Sequence, residues 1–371
     1  MAAQDAARQA ETDRRFMAAA IRLSRRHLGL TATNPSVATL IVRDGVIVGR
    51  GVTAIGGRPH AETQALAEAG DSARGATAYV TLEPCAHHGR TPPCADALVT
   101  AGVARVVGAA SDPDERVSGK GYAILRAGGI EVTEGVLAEA AADMLAGYLN
   151  RSLKKRPEVI LKLAVSADGM IGRRGEGQVA ITGAQARRQV HVTRAECDAI
   201  LIGVGTAVAD NPELTCRLPG LETRSPTRIV LDRSLRLPPS SKLAQSARDV
   251  PVLVAAAGDA DPGRRARLAA QGVGFLAVEI DETGRIALPE LLEDLAAQGT
   301  MTVMVEGGAE TAAHFLDEGL VDRIAIYVGP EVVGEGGIAS PLDPAGPREG
   351  FRLVREAMFG NDLYREYVRT R

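Results

Sequence analysis

Three residues far apart in the chain must meet at one point if His60, Cys85 and Cys94 share a metal, and that requirement constrains the fold more than anything else in the sequence. One imidazole and two thiols are donors that Zn²⁺ accepts in tetrahedral geometry, and a catalytic zinc keeps its fourth position for water. Such a water is acidified to a pKa of roughly 7. Glu62 follows His60 by two residues; if a helix starts there, Glu62 is turned by about 200° from His60 at about 100° per residue. It then faces the water rather than joining the ligands.

Around these residues the local signals are consistent. Ala61 to Ala69 reads as a helix stopping at Gly70-Asp71. Ala78 to Leu82 reads as a buried strand running to Pro84-Cys85. Cys94 follows Pro92-Pro93 and opens a helix ending at Gly102. Both cysteines are expected at strand-to-helix corners, where the helix dipole favours a thiolate. Singly, each residue fits a core thiol or a surface histidine. Together, with Glu62 placed, they match the zinc-deaminase pattern of H-x-E followed by P-C and a second Cys, with the Glu as acid/base. Here eight residues, not two, separate the cysteines. His87 and His88, in a glycine-containing loop, read as substrate contacts or solvated imidazoles.

The chain's 371 residues suggest two domains. Hydrophobic residues make up 45% and charged residues 24%, enough for sizeable cores. A net charge of −3 without a basic run argues against nucleic acid as partner, and six Tyr, five Phe and no Trp leave little for base stacking. Four cysteines do not make a disulfide framework, so Cys197 and Cys216 are read as reduced and structural. No apolar run is long enough for a membrane span and none resembles a signal peptide, so a cytoplasmic location is expected.

Along the chain, a short N-terminal helix ends at Arg22 to His27. Ala38 to Val42 and Val46 to Val52 form a hairpin around Asp44-Gly45. Strands and helices then alternate to a helix over Leu137 to Leu149, a three-layer α/β pattern. Asn150 to Pro157, rich in Arg and Lys, is the domain boundary, giving domains 1–150 and 151–371. The second half restarts with a strand over Val159 to Val165, then Ser166-Ala167-Asp168-Gly169 and a helix over Gly183 to Thr193. Further strands lie at Asp198 to Ile202, Arg228 to Leu231, Val252 to Ala255 and Met301 to Val305. Gly203-x-Gly205 and Gly307-Gly308 are strand-to-helix corners of the kind that bind phosphate, or simply tight turns. Lys162 lies on an otherwise apolar strand and needs a site or an acidic partner, Asp168 or Glu306. Asp210-Asn211-Pro212 is a ligand loop or an Asx turn.

The run Val80-Thr81-Leu82-Glu83-Pro84-Cys85-Ala86-His87-His88-Gly89-Arg90-Thr91-Pro92-Pro93-Cys94 closely resembles the bifunctional riboflavin-biosynthesis deaminase/reductase family. So do Asn34-Pro35, Pro59-His60-Ala61-Glu62 and Gly119-Lys120-Gly121. The second half is similar to its reductase domain through Leu161-Lys162-Leu163, Ala186-Arg187-Arg188, Asp210-Asn211-Pro212-Glu213-Leu214-Thr215 and Val305-Glu306-Gly307-Gly308. The resemblance implies a cytidine-deaminase-like α/β/α domain followed by a dihydrofolate-reductase-like α/β domain. It also implies one Zn²⁺ and NADPH as cofactors, a phosphoribosyl pyrimidine as substrate, and a homo-oligomer, dimer or tetramer. Glu62 is then catalytic. Asn34, His88 and Arg90 touch the deaminase substrate. Ala164, Ala180, Thr206, Asp210, Arg233 and Gly308 touch the cofactor. Lys162, Gln178, Arg194, Leu214, Arg217 and Glu306 touch the reductase substrate, with Arg194 and Arg217 suited to its phosphate. Ala180 stands where a Trp is usual and Asp114 where an Asn is usual. Arg233 replaces a small polar residue, an added charge suited to a 2′-phosphate. Two other readings differ in class: a free-base or tRNA deaminase with a C-terminal binding module, and a purely structural zinc.

Overall fold

The computed structural model describes residues 2–88, 92–347 and 349–370. The chain divides into two compact units, residues 1–154 and 155–371, so the division falls within the basic Asn150–Pro157 segment.

The first unit contains α1 (Ala2–Ser24), β1 (Ala38–Arg43), β2 (Val46–Val52), α2 (Ala61–Ala69), β3 (Thr77–Leu82), α3 (Cys94–Ala101), β4 (Arg105–Ala110), α4 (Lys120–Ala127), β5 (Glu131–Thr133), α5 (Ala138–Met144) and α6 (Ala146–Lys154). Its sheet has the order β2-β1-β3-β4-β5, antiparallel on the β1 side and parallel from β3 to β5. The Asp44-Gly45 turn has positive φ at both residues, 50° and 76°, as a two-residue hairpin turn needs. Two expectations are corrected. The first helix is 23 residues long, not short, because Phe16, Met17, Ala20 and Ile21 give it a buried stripe. The helix expected over 137–149 is two helices meeting at Leu145, which is buried.

The placement of α2 sets the first site. Its Ala61, Ala65 and Ala69 are buried and small, and β2 offers Gly49 and Gly51 beneath them. A Cβ on Gly51 would lie 2.1 Å from the Ala61 carbonyl oxygen, and one on Gly49 2.2 Å from that of Ala65. Backbone thus packs on backbone, and His60 and Glu62 are carried down with the helix start. A Gly51→Ala change forces α2 outward. We expect it to destabilise by about 1–3 kcal/mol, the range for overpacking, and to lower zinc content; chemical denaturation and metal analysis of the purified variant check both.

The second unit contains β6 (Glu158–Val165), β7 (Met170–Arg173), α7 (Ala184–Glu196), β8 (Ala199–Gly203), α8 (Val204–Asp210), β9 (Thr227–Leu231), α9 (Lys242–Gln245), β10 (Val252–Ala256), α10 (Pro262–Ala270), β11 (Gly274–Ala277), α11 (Leu288–Ala297), β12 (Thr302–Glu306), α12 (Ala309–Asp317), β13 (Arg323–Val328), β14 (Gly337–Ala339), β15 (Phe351–Phe359) and β16 (Asp362–Arg369). Nine strands form one sheet in the order β11-β10-β9-β8-β12-β6-β13-β16-β15. The strands from β11 to β13 run parallel, and β16 and β15 add an antiparallel hairpin. Apolar clusters cover both faces: Ile200, Val230 and Met304 on one, Leu161, Leu201, Val303 and Phe315 on the other. Late-coming β12 sits between β8 and β6, a reversal of strand order that leaves a crevice at the carboxyl ends. Among the described residues no helix is long and apolar enough to cross a membrane.

Candidate active sites

His60 caps α2 from an extended backbone conformation, Cys94 is the first residue of α3, and Cys85 lies in the segment after β3. The His60 Nδ1 lies 3.3 Å from the Cys94 Sγ and 3.7 Å from the Cys85 Sγ. Metal–ligand bonds of about 2.0–2.3 Å give tetrahedral edges of about 3.5 Å, so the three atoms fit one zinc ion. Among the described residues no other group of three such side chains converges.

Only one cysteine is at a helix start. Cys85 is followed by irregular backbone, which corrects the expectation of a helical turn there. The helix still serves it, because the Cys94 backbone N–H at the start of α3 donates to the Cys85 Sγ at 3.2 Å. With the Cys94 thiol and His60 also beside it, the Cys85 thiol is lowered to about 4, while its hydrogen bond to Cys85 and then burial push the Cys94 thiol up. Glu62 is 4% exposed. Burial, then the Cys85 thiolate, pushes its carboxyl up to about 7, the range suited to moving protons at neutral pH.

Glu83 was not singled out as functional from the sequence, yet it fixes this site. Its carboxylate accepts the N–H of Gly119 and of Gly121, each at 3.1 Å, at the start of α4. Gly121 must be glycine because a Cβ would lie 2.1 Å from the Pro84 carbonyl oxygen. The segment carrying Cys85 is thereby pinned to α4, which accounts for the Gly119-Lys120-Gly121 motif. Asn34 packs against Gly57, close before His60 in the chain. His88 is exposed, and the buried Nδ1 of His87 has no hydrogen-bond partner among the described residues. Arg90 lies outside the described residues. Asp114 is paired with Arg116, whose guanidinium holds its carboxyl at about 2.

In the second unit, all twelve residues named from the sequence for cofactor and reductase substrate line one cavity of about 1250 Å³. Strand register explains its centre. Lys162 on β6 and Glu306 on β12 are direct partners across the parallel pair, so both side chains share one face. Their charged atoms are 3.8 Å apart. Arg194 from α7 closes on the same carboxylate with two bonds, Nε to Oε1 at 2.7 Å and Nη2 to Oε2 at 2.9 Å. Glu306 is half-buried, and although its partial burial works against the charge, Arg194 and Lys162 hold it ionised, at about 2. Burial lowers Lys162 from the ordinary lysine value, and Glu306 opposes that.

Asp168 is not the partner of Lys162. It accepts from Ser166 Oγ and from the backbone N–H groups of Val333 and Gly334, at 2.6, 3.0 and 2.8 Å. It serves as a loop clamp away from the cavity wall. Arg194 is likewise engaged, since its fork faces Glu306 and its Nη1 donates to the Thr215 carbonyl. Exposed Arg217 and Arg187 also line the cavity, Arg187 without having been named for it from the sequence.

The two glycine corners are joined. The Gly308 N–H donates to Thr206 Oγ1 at 2.9 Å, and a Cβ on Gly203 would lie 2.4 Å from Thr311 Oγ1. The starts of α8 and α12 therefore adjoin along one cavity wall, a cradle suited to a dinucleotide's phosphates. Asp210 ends α8 on that wall, and Ala164, Gln178 and Ala180 complete the lining. Arg233 also lines the cavity, as do Arg236 and Arg285, and donates to the Gly284 carbonyl at 2.7 Å.

A zinc-deaminase site in one unit and a nucleotide-sized crevice at the carboxyl ends of a parallel sheet in the other define a bifunctional deaminase/reductase. Residues 10–110 match the model of the cytidine and deoxycytidylate deaminase zinc-binding region, and residues 157–364 that of the RibD C-terminal domain. The chain belongs to the RibD family of riboflavin biosynthesis proteins. It is 39% identical to the Aquifex aeolicus riboflavin biosynthesis protein RibD over 95% of this chain and 97% of that one. With the Escherichia coli RibD protein it shares 38% over 87% and 89%. Among solved structures, Acinetobacter baumannii RibD superposes with a TM-score of 0.84 at 38% identity, covering 98% of this chain and all of that one. The Thermotoga maritima diaminohydroxyphosphoribosylaminopyrimidine deaminase/5-amino-6-(5-phosphoribosylamino)uracil reductase does so with 0.84 at 32%, with coverage of 98% and 100%.

Proposed function

We propose that residues 1–150 deaminate 2,5-diamino-6-ribosylamino-4(3H)-pyrimidinone 5′-phosphate and that residues 151–371 reduce the ribosyl chain of the product to ribityl with NADPH. The observation that carries this reading is the pairing of the zinc triad and Glu62 with a separate cavity gathering the Lys162–Glu306–Arg194 cluster and both glycine corners. The decisive assay follows ammonia and NADPH together on the diamino substrate. Release of one ammonia and oxidation of one NADPH per substrate is expected; ammonia without NADPH oxidation would leave a deaminase with a binding module.

For deamination, His60, Cys85 and Cys94 would hold zinc, whose Lewis acidity would make water nucleophilic near neutral pH. Glu62 takes one proton from the attacking water to the ring nitrogen, then carries the second, from the new hydroxyl, to the amino group, which departs as ammonia. Asn34, His88 and Arg90 hold the substrate.

For reduction, Ala164, Ala180, Thr206, Asp210, Arg233 and Gly308 would hold a nicotinamide cofactor, which when bound would supply the hydride. The open-chain substrate, an imine at ribose C1, then needs one proton on nitrogen. Glu306 is locked as a carboxylate by Arg194, and Asp168 is turned away, so neither donates it. Lys162 is the donor: its ammonium faces the cavity, and the C=N electron pair becomes the new N–H bond. Gln178, Leu214 and Arg217 hold the substrate beside it, with the rest of the wall formed by Arg194 and Glu306.

Arg233, which lines the cavity with Arg236 and Arg285, supplies a charge suited to the 2′-phosphate. Arg233→Ala should raise KM for NADPH roughly tenfold, the size of one charge-assisted hydrogen bond, and leave KM for NADH nearly unchanged. Equal effects on the two would remove Arg233 from that role. No step requires a membrane or nucleic acid, and a cytoplasmic homo-oligomer, dimer or tetramer, is the state in which we expect the protein; native mass spectrometry reads the latter directly.

A further inference from the structure

On α7, Arg187, His191 and Arg194 recur at helical spacing, and all three line the reductase cavity. Arg194 is committed to Glu306. His191 is turned to another task. The segment 211–217, which carries Leu214 and Arg217, has positive φ at Asn211 (42°) and Leu214 (54°). It is held in that shape by bonds from several sides. The Asn211 Oδ1 accepts from the Lys242 backbone N–H at 2.9 Å, and fully buried Arg228 donates to the Glu213 carbonyl at 3.0 Å. Arg194 donates to the Thr215 carbonyl at 3.1 Å, and Cys216 is tied through its N–H to Ser225 Oγ at 3.0 Å.

The last two residues of the segment also meet His191 itself. The Cys216 thiol donates to the His191 carbonyl at 3.4 Å, and the Arg217 backbone N–H donates to His191 Nδ1 at 3.4 Å. Arg217, which lines the cavity, is exposed, and its Nη1 reaches Glu213 Oε2 at 3.2 Å and Thr215 Oγ1 at 3.1 Å. Its side-chain position therefore depends on where its backbone is held.

We propose that His191 is a positioning residue for the anion-binding wall of the reductase site: its Nδ1 fixes the backbone of Arg217 and so places that guanidinium for the substrate's phosphate. The inference rests on the reductase reading above. Its chemistry needs an acceptor at Nδ1, which a neutral imidazole has and an imidazolium lacks. The charged groups facing the ring are Arg194, Arg217 and Glu306. Burial, then the two arginines, lowers its pKa from the ordinary histidine value, which keeps Nδ1 available at neutral pH.

The test uses the full-length zinc-loaded protein with NADPH and the deaminated phosphoribosyl substrate, with inorganic phosphate as a competing probe. His191→Ala should raise KM for the substrate and Ki for phosphate, each roughly tenfold, the size of one lost hydrogen bond. KM for NADPH and ammonia release by the deaminase should not move, which shows that the variant is folded. His191→Asn, whose Oδ1 offers an acceptor near the position of Nδ1, should restore both constants, and His191→Gln should not. In an Arg217→Ala background, His191→Ala should add nothing further. An unmoved KM, rescue by Gln rather than Asn, additive effects with Arg217→Ala, or a fall in kcat at constant KM would each overturn the proposal. A wild-type protein that oxidises no NADPH with this substrate would instead overturn the reductase reading, which separates the two failures.

Discussion

Glu62→Gln lowers the rate of ammonia release by about 10²–10⁴-fold, the usual contribution of a positioned acid–base group, while the protein keeps its zinc. The amide has nearly the same shape and cannot carry the proton between water, ring nitrogen and leaving group. His60, Cys85 and Cys94 are untouched by the change, so metal content read by elemental analysis should equal that of the wild type. Reduction of a chemically supplied deaminated substrate should also be unchanged, since that chemistry lies in the other unit. Full deamination with zinc retained would show that Glu62 has no part in proton transfer.

Lys162→Met removes the proposed proton donor of the reductase and should lower kcat by about 10²–10⁴-fold, with KM for NADPH little affected. Methionine fills the volume of the lysine stem without leaving a charge, so Glu306 and Arg194 can stay paired. Lys162→Arg should not restore the rate, because guanidinium does not release its proton at working pH. The pH profile supplies a second reading. The acid form is the active one, so kcat falls as pH rises through the Lys162 pKa. Burial lowers that pKa, so the alkaline limb should begin below the ordinary lysine range. A Met variant with undiminished kcat would assign the proton to water.

Much of the deaminase site was legible because metal ligation demands particular atoms. His60, Cys85, Cys94 and Glu62 could be named without knowing the path of the chain between them. The Asp44-Gly45 turn was legible for a local reason, since two successive residues at positive φ favour that dipeptide. What escaped the sequence was non-local. Lys162 needed an acidic partner, and the nearer candidate in the chain, Asp168, proved to be bonded to Val333 and Gly334. The partner is Glu306, chosen by the register of β6 against β12, which nothing local records. Glu83 was hidden for the same reason, because its partners are the distant Gly119 and Gly121. The helix expected after Pro84 fails because Glu83 ties the chain to α4 and the N-terminus of α3 reaches back to Cys85 instead. The β15–β16 hairpin was missed because five consecutive residues of β15 are exposed, which blurs the period-two pattern of a half-buried strand.

The segment 211–217 is tied down at Asn211, Glu213, Thr215, Cys216 and Arg217 by the protein's own bonds. Loops that order only around a substrate give up part of their binding energy to lost conformational freedom. Here that loss is met during folding, by buried Arg228 and by His191 and Arg194 of α7. On the proposed reading, selectivity for a phosphorylated substrate is then built by the folding of this segment rather than by the substrate itself.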